Sequence, residues 1–407
     1  MEQYTNRKAT AQILVVDEKK NAIKNTEFNV ELTNHDFLFG CGAFDALPLT
    51  NDKKGDAFYE DRMHKWLELY NYGTMSFYWG YYEEKENFPA YESRMNASAY
   101  LKEHGKTVKG HPLCWHTACA DWLMKYDNKT ILDKQLERIH RDVTAFAGVI
   151  DMWDVINEVV IMPEFDKYDN AVTRICREYG RVNLVKEVFA AARAANPKAT
   201  LLINDFNLSD RYVKLIADCL DAGVTIDAIG LQTHQHQGYM GREKLEEIIK
   251  RFEVFGLPLH FTENTLVSGH IMPSHIVDLN DYQIPEWPTT SEGEKRQAEE
   301  MEDMYRFLFT HPQVEAITGW DFTDGAWLGA PSGVLRTDNS AKPSYHMLHN
   351  LIHKEWHTSE KIRTDENGIA VLTGFKGTYT LKGEHACGNF HLDQKSERII
   401  VTCPSQK

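Results

Sequence analysis

No run of about 18 apolar residues occurs in the chain, so none of it reads as a membrane-spanning helix. The opening MEQYTNRKAT lacks the apolar core of a leader peptide, which fits a cytoplasmic protein or a secreted one already trimmed. Cysteine is sparse: seven residues, an odd number without regular spacing, argue against a disulfide framework and lean toward a reducing compartment. Positive charge is in deficit. Lys and Arg number 45 against 60 Asp and Glu, and the net charge of −15 disfavours nucleic acid or an anionic membrane surface as partner. No G-x-G-x-x-G follows a strand-like segment, which removes the main reason to expect a doubly wound open sheet. Gly105-Lys106-Thr107 is no phosphate loop, because Tyr100 stands where its first glycine belongs. No internal repeat or low-complexity run is present.

What is present is apolar and aromatic. The 407 residues are 42% hydrophobic and 11% aromatic, with nine Trp, enough for a large core and for stacking faces that suit sugar rings. Strand-like segments at 37–43, 72–78, 106–113, 149–157, 199–204, 226–231, 257–262 and 314–320 alternate with helical patterns. The helices are expected at 56–70, 91–104, 131–147, 178–195, 208–222, 241–255, 293–310 and 343–354. Eight strands, each followed by a helix, predict an α/β fold of the (β/α)8 TIM-barrel kind over residues 37–356. Both ends differ. Residues 9–35 and 361–403 carry short alternating β patterns with Asp, Asn and Gly turns. Neither end can bury a core alone, so segments 1–36 and 357–407 are expected to pair into one small accessory β domain.

Barrel chemistry sits at the C-terminal strand ends. The third candidate strand ends at His111, followed by Trp115 and His116. The fourth ends in WDVINE, an apolar run closing on Asn157 and Glu158. The fifth ends in Asn204-Asp205, the sixth in Gln232-Thr233-His234, the seventh in Glu263-Asn264, and the eighth in Trp320 with Asp324 and Trp327 just beyond. Glu158 and Glu263 lie three strands apart, facing each other across the mouth. Two opposed carboxyls among amides and aromatics are what glycoside hydrolysis needs: one protonated to help the leaving oxygen, one ionised to attack or to activate water.

These residues also resemble glycoside hydrolase family 10, the retaining β-1,4-xylanases, over roughly 37–355. Lys109 to His116 is similar to that family's Arg-Gly-His-Thr-Leu-Val-Trp-His, and WDVINE is nearly identical to its acid/base motif. Asn204-Asp205-Phe206-Asn207, Gly230-Leu231-Gln232-Thr233-His234 and Phe261-Thr262-Glu263 resemble its Asn-Asp-Tyr-Asn, Gly-Leu-Gln-Ser-His and Ile-Thr-Glu. Trp320 to Trp327 with Lys342-Pro343-Ser344-Tyr345 resembles the closing Trp-Gly-x-x-Asp…Trp and Lys-Pro-x-Tyr. The resemblance implies general acid/base Glu158, nucleophile Glu263, and sugar contacts from His111, Trp115, His116, Asn157, Asn204, Gln232, His234, Trp320 and Trp327. It implies a xylan-type polysaccharide or oligosaccharide as partner, with no cofactor and no metal.

Two departures stand out. Where the family shows Glu-Asn-x-Met-Lys-Trp, whose polar groups hold sugars on the non-reducing side of the cut, this chain has Tyr72-Gly73-Thr74-Met75-Ser76-Phe77. Where the family places an Asp two residues after the nucleophile, here Thr265 leaves His234 without that carboxylate. Replacement contacts are expected from Tyr72, Phe77, Tyr78, Trp79, Tyr81 and Tyr82, and from the long 264–290 loop with His270, His275, Tyr282 and Trp287. The expected substrate is therefore a decorated xylan-like chain. Two other classes fit parts of the pattern. His111-x-x-Cys114-x-His116-x-x-Cys119 with His234-x-His236 has ligand types for a metal-dependent hydrolase. A non-catalytic carbohydrate-binding barrel would need one catalytic carboxyl to be lost, and both are present.

Overall fold

The computed structural model describes residues 4–384 and 387–404; residues 1–3, 385–386 and 405–407 of the expected end segments lie outside them. Fifteen strands are formed: β1 (Lys8–Val16), β2 (Glu27–His35), β3 (Leu38–Gly42), β4 (Tyr72–Ser76), β5 (Thr107–His111), β6 (Met152–Asn157), β7 (Thr200–Asp205), β8 (Ala228–Gln235), β9 (Leu259–Leu266), β10 (Val314–Gly319), β11 (Ser359–Arg363), β12 (Ile369–Phe375), β13 (Gly377–Lys382), β14 (Cys387–Leu392) and β15 (Arg398–Thr402). Strands β3 to β10 pair in sequence order and close, β10 against β3, into a barrel of parallel strands. Helices cover its outside. Strands β4 and β9 are buried along their whole length, the state of strands with helices on one side and a filled lumen on the other.

Local chemistry sets the helices. Asn128–Ala145 starts where the Asp127 side chain accepts the Thr130 N–H, and it buries Ile131, Ile139 and Val143 on one face. The expected helix 178–195 forms as Arg181–Ala195, and a helix the pattern did not mark, Ala171–Tyr179, precedes it, the two separated at Gly180 with φ +79°. Strands β8 and β9 also run past their expected ends at 231 and 262, to Gln235 and Leu266, which brings His234 and Thr265 into neighbouring ladder positions.

The chain ends form two small sheets, in the orders β12-β1-β15 and β11-β2-β13-β14. Each mixes strands from both termini, β1 with β12 and β15, β2 with β11 and β13. They pack against the N-terminal ends of the barrel strands. There Phe309 stacks on Trp356 at 4.1 Å, with Phe39 and Phe375 around them. The Arg7 guanidinium donates to the carbonyls of Phe309 (2.7 Å), His311 (2.5 Å) and Val314 (2.6 Å), tying the first turn of the chain to the end of the helix Ser291–Thr310 and the start of β10. The β unit thus closes the end of the barrel opposite the strand ends that carry the polar residues.

Candidate active site

Glu158 and Glu263 follow β6 and sit within β9 respectively, and each adopts a left-handed backbone, φ +56° and +60°. Such conformations cost of order 1–3 kcal/mol in a non-glycine residue and persist only where surroundings dictate them. Here the Glu158 N–H donates to the Asn204 carbonyl at 2.8 Å, and the Asn157 N–H to Cys114 at 2.9 Å. The turn aims both carboxyls into the mouth rather than along the ladder.

Three amides join the carboxyls. Asn204 Nδ2 donates to Glu263 Oε1 and to Asn157 Oδ1, both at 2.8 Å. Asn157 Nδ2 donates to Glu158 Oε1 at 3.2 Å, and Gln232 Nε2 reaches Asn157 Oδ1 at 3.0 Å and Glu158 Oε1 at 3.4 Å. The Asn204 side-chain Oδ1 itself accepts from the Thr262 hydroxyl at 2.7 Å. A Cβ at position 230 would fall on the Asn204 amide, so Gly230 is what lets that side chain lie across the barrel. Trp115 Nε1 donates to the other Glu158 oxygen at 2.9 Å, and His234 Nε2 stands 3.1 Å from Glu263 Oε2. His111 lies 4.0 Å from Glu263 through Nε2, while its Nδ1 meets Asp154 at 2.7 Å. Lys109 Nζ also reaches Asp154 at 2.7 Å, deep in the lumen.

These surroundings drive the two carboxyls apart. Burial, and then the negative charge of Glu263, push Glu158 up to about 8, against a smaller downward pull from the Trp115 hydrogen bond. Burial pushes Glu263 up as well, but the His234 hydrogen bond and the positive fields of His111, His234 and Lys109 outweigh it and hold the group below the ordinary glutamate range. One carboxyl keeps its proton at neutral pH and its neighbour does not.

The aromatic wall is formed by Trp320, 5.3 Å from the His111 ring, and Trp327, 4.6 Å from the His234 ring. Ten of the eleven expected site residues therefore converge: Glu158, Glu263, His111, Trp115, Asn157, Asn204, Gln232, His234, Trp320 and Trp327. His116 does not. Its ring lies buried 4.6 Å from Phe165 and hydrogen-bonds neither glutamate. The possible metal ligands are likewise dispersed. His111 is engaged by Asp154, Cys114 is in the core, and His236 is against Thr265 at 3.0 Å. Among the described residues no three His, Cys, Asp or Glu side chains are grouped to hold an ion.

Half of the ten expected replacement contacts are core. Tyr72, Phe77, Trp79 and Tyr82 are buried, Phe77 lying 5.0 Å from both Trp153 and Phe146. Only Tyr78, 5.4 Å from Trp115, faces the mouth, and Tyr81 lies exposed beside it. In the long loop, Trp287 forms a small separate core with Val267, Met272 and Ala330, and His270 stacks on it at 5.3 Å. His270 and Tyr282 bond each other at 2.8 Å on the loop surface, where His275 is also exposed. Asp154 and Lys109 were both within recognisable motifs, yet nothing in a linear pattern marks a buried ion pair as the support of a histidine. Thr265 leaves His234 with only a 3.4 Å hydroxyl contact at Nδ1.

The family model for glycosyl hydrolase family 10 matches residues 73–351, more than half of the chain. The chain belongs to glycosyl hydrolase family 10. It is 25% identical over 392 residues to the anti-sigma-I factor RsgI6 of Acetivibrio thermocellus, a match covering 92% of this chain and 45% of that protein. It is 28% identical over 254 residues to endo-1,4-beta-xylanase A of Xylanibacter ruminicola, covering 56% of this chain and 66% of that one. The chain thus spans between about half and two thirds of the length of these curated relatives. Among solved structures, xylanase 10B of Thermotoga petrophila RKU-1 in complex with xylobiose superposes with a TM-score of 0.62 at 21% identity, covering 79% of this chain and 95% of that one, a likeness of fold. The family model ends short of both small sheets, whereas the likeness to the anti-sigma-I factor runs nearly the whole chain.

Proposed function

We propose that this family 10 protein cleaves β-1,4-xylosidic bonds in xylan-type chains by double displacement, with Glu158 as general acid/base and Glu263 as nucleophile. The observation that carries the proposal is the convergence of the two buried carboxyls, linked through the Asn157 and Asn204 amides, with Trp115 bonded to Glu158 and His234 to Glu263. The opposite displacement of their pKa values, Glu158 up to about 8 and Glu263 below its ordinary range, agrees with it. Glu158 gives its proton to the glycosidic oxygen as that bond breaks, and Glu263 attacks the anomeric carbon to form a glycosyl ester. The Glu158 carboxylate then takes a proton from water as its oxygen displaces Glu263, which restores both groups. Asn204 and His234 hold the nucleophile from two sides, and Trp115 and Gln232 hold the acid. Trp320 and Trp327 supply the faces on which sugar rings rest. The name of the Xylanibacter relative supports xylan as substrate. Proton NMR of the first product from a xylo-oligosaccharide is the test. The expected anomer is β, and an α product would remove the double displacement.

A further inference from the structure

A cavity of about 290 Å³ borders the mouth where the barrel closes, between the ends of β3 and β10. Its walls include Phe44, Asp45, Arg62, Asp321, Asp324 and Thr337. It lies one strand from the Tyr72–Phe77 segment, where family resemblance expects sugar-holding polar groups and finds none. The Phe44 ring packs edge-on against Trp320 at 5.2 Å, so one wall of the cavity backs directly on the aromatic wall of the mouth.

Two of the three carboxylates are neutralised within the protein. Asp45 pairs with Arg62 at 2.8 Å and Asp324 with Lys342 at 2.5 Å. Asp321 is different. It is 5% exposed, and its bonded partners are the Ser332 hydroxyl at 2.6 Å and the Trp327 N–H at 3.4 Å, neither of them a cation. The resemblance places a glycine directly after the strand-eight Trp, so this carboxylate belongs to this chain rather than to the family pattern. Burial pushes it up to about 6, which leaves it ionised at neutral pH. An ionised carboxylate with spare lone pairs in a polar cavity accepts hydroxyl donors. The volume approaches the ~300 Å³ lower bound of small-molecule sites, enough for a monosaccharide.

Resting on the xylan reading above, we propose that this cavity is a side subsite for a neutral sugar branch of the bound chain. Asp321 accepts the branch hydroxyls there, and its carboxylate, bonded to no cation, disfavours uronic-acid branches.

The test compares kcat/KM on unsubstituted, arabinose-substituted and glucuronic-acid-substituted xylo-oligosaccharides of equal backbone length. The parent should prefer the arabinose-substituted substrate to the glucuronic-acid one. Asp321→Asn should lower the arabinose-to-unsubstituted ratio about tenfold and raise the relative rate on the uronate. Thr337→Trp, at an exposed position on the cavity rim, should lower the same ratio by filling the space, which guards against a misfolded Asp321 variant. Turnover with ratios unchanged in both variants, or a parent that prefers the uronate, overturns the subsite alone. Absence of turnover on all three substrates overturns the xylan reading and the subsite with it.

Discussion

At the residue scale, one buried glutamate controls two different pH responses. Glu158 binds its proton in the folded protein up to about pH 8, whereas an unperturbed glutamate releases it near 4.5. The folded state holds more protons across that window, so stability falls as pH rises through it. Glu158→Gln cannot titrate and should flatten this slope. Melting temperatures at about pH 5 and about pH 9 will differ less in the variant than in the parent, and an unchanged difference would assign the slope elsewhere. On the proposed mechanism the same group should set the alkaline limb of activity, with the turn near pH 8, where Glu158 loses its proton. Substitution separates the roles. Glu263→Ala should abolish turnover on every substrate, because no glycosyl ester forms. Glu158→Ala should cost about 10²–10⁴-fold on a natural glycoside and far less on an activated aryl glycoside, whose leaving group needs little protonation. Equal losses on both substrates would count against Glu158 as the acid.

Elements show which features a linear pattern carries and which it does not. The barrel strands were legible because apolar runs bounded by turns repeat eight times, and the convergence of Glu158 and Glu263 at the mouth because strand ends are where a barrel exposes polar groups. The helix Ala171–Tyr179 and its end at Gly180 were not marked by the pattern. The run Tyr72 to Tyr82 reads as an aromatic platform in one dimension. Strand alternation and the short helix Trp79–Tyr82 turn most of it into the core, leaving Tyr78 and Tyr81 outside. The 264–290 loop reads as a source of sugar-contacting rings, yet from residue 267 it folds on a core of its own. Trp287 is 6% exposed there and its Nε1 donates to the His270 carbonyl at 2.9 Å. Truncating a core Trp costs about 3–5 kcal/mol, but this cluster is separate from the main core. Trp287→Ala should therefore open the loop and leave the barrel folded: rapid protease cleavage within 267–290, with little change in the global melting temperature. A large fall in the global midpoint would show that the loop is part of the barrel's cooperative unit.

For the whole molecule, the two termini act as one piece. Strand β1 takes both of its strand neighbours from the C-terminal segment, β12 on one edge and β15 on the other, and β2 lies between β11 and β13. The unit shares a continuous apolar core with the barrel, through Phe309, Trp356 and Phe375. Removing residues 359–407 would strip both edges of β1 and β2 and uncover Ile13, Val15, Phe28, Val30 and Leu32, each now at most 4% exposed. Exposing one such side chain costs about 1.5–3 kcal/mol, so five approach the ~5–15 kcal/mol that holds a whole domain together. Bare edges of alternating apolar strands also invite pairing between molecules. The Glu158–Glu263 pair lies at the opposite end of the barrel, so the loss should appear in folding before it appears in chemistry. The truncated chain should be recovered mostly as aggregate, and any soluble fraction should melt well below the parent while retaining the parent's KM. A truncated protein as soluble and heat-stable as the parent would mean that the barrel folds without its β unit, and that the shared apolar core contributes little to its stability.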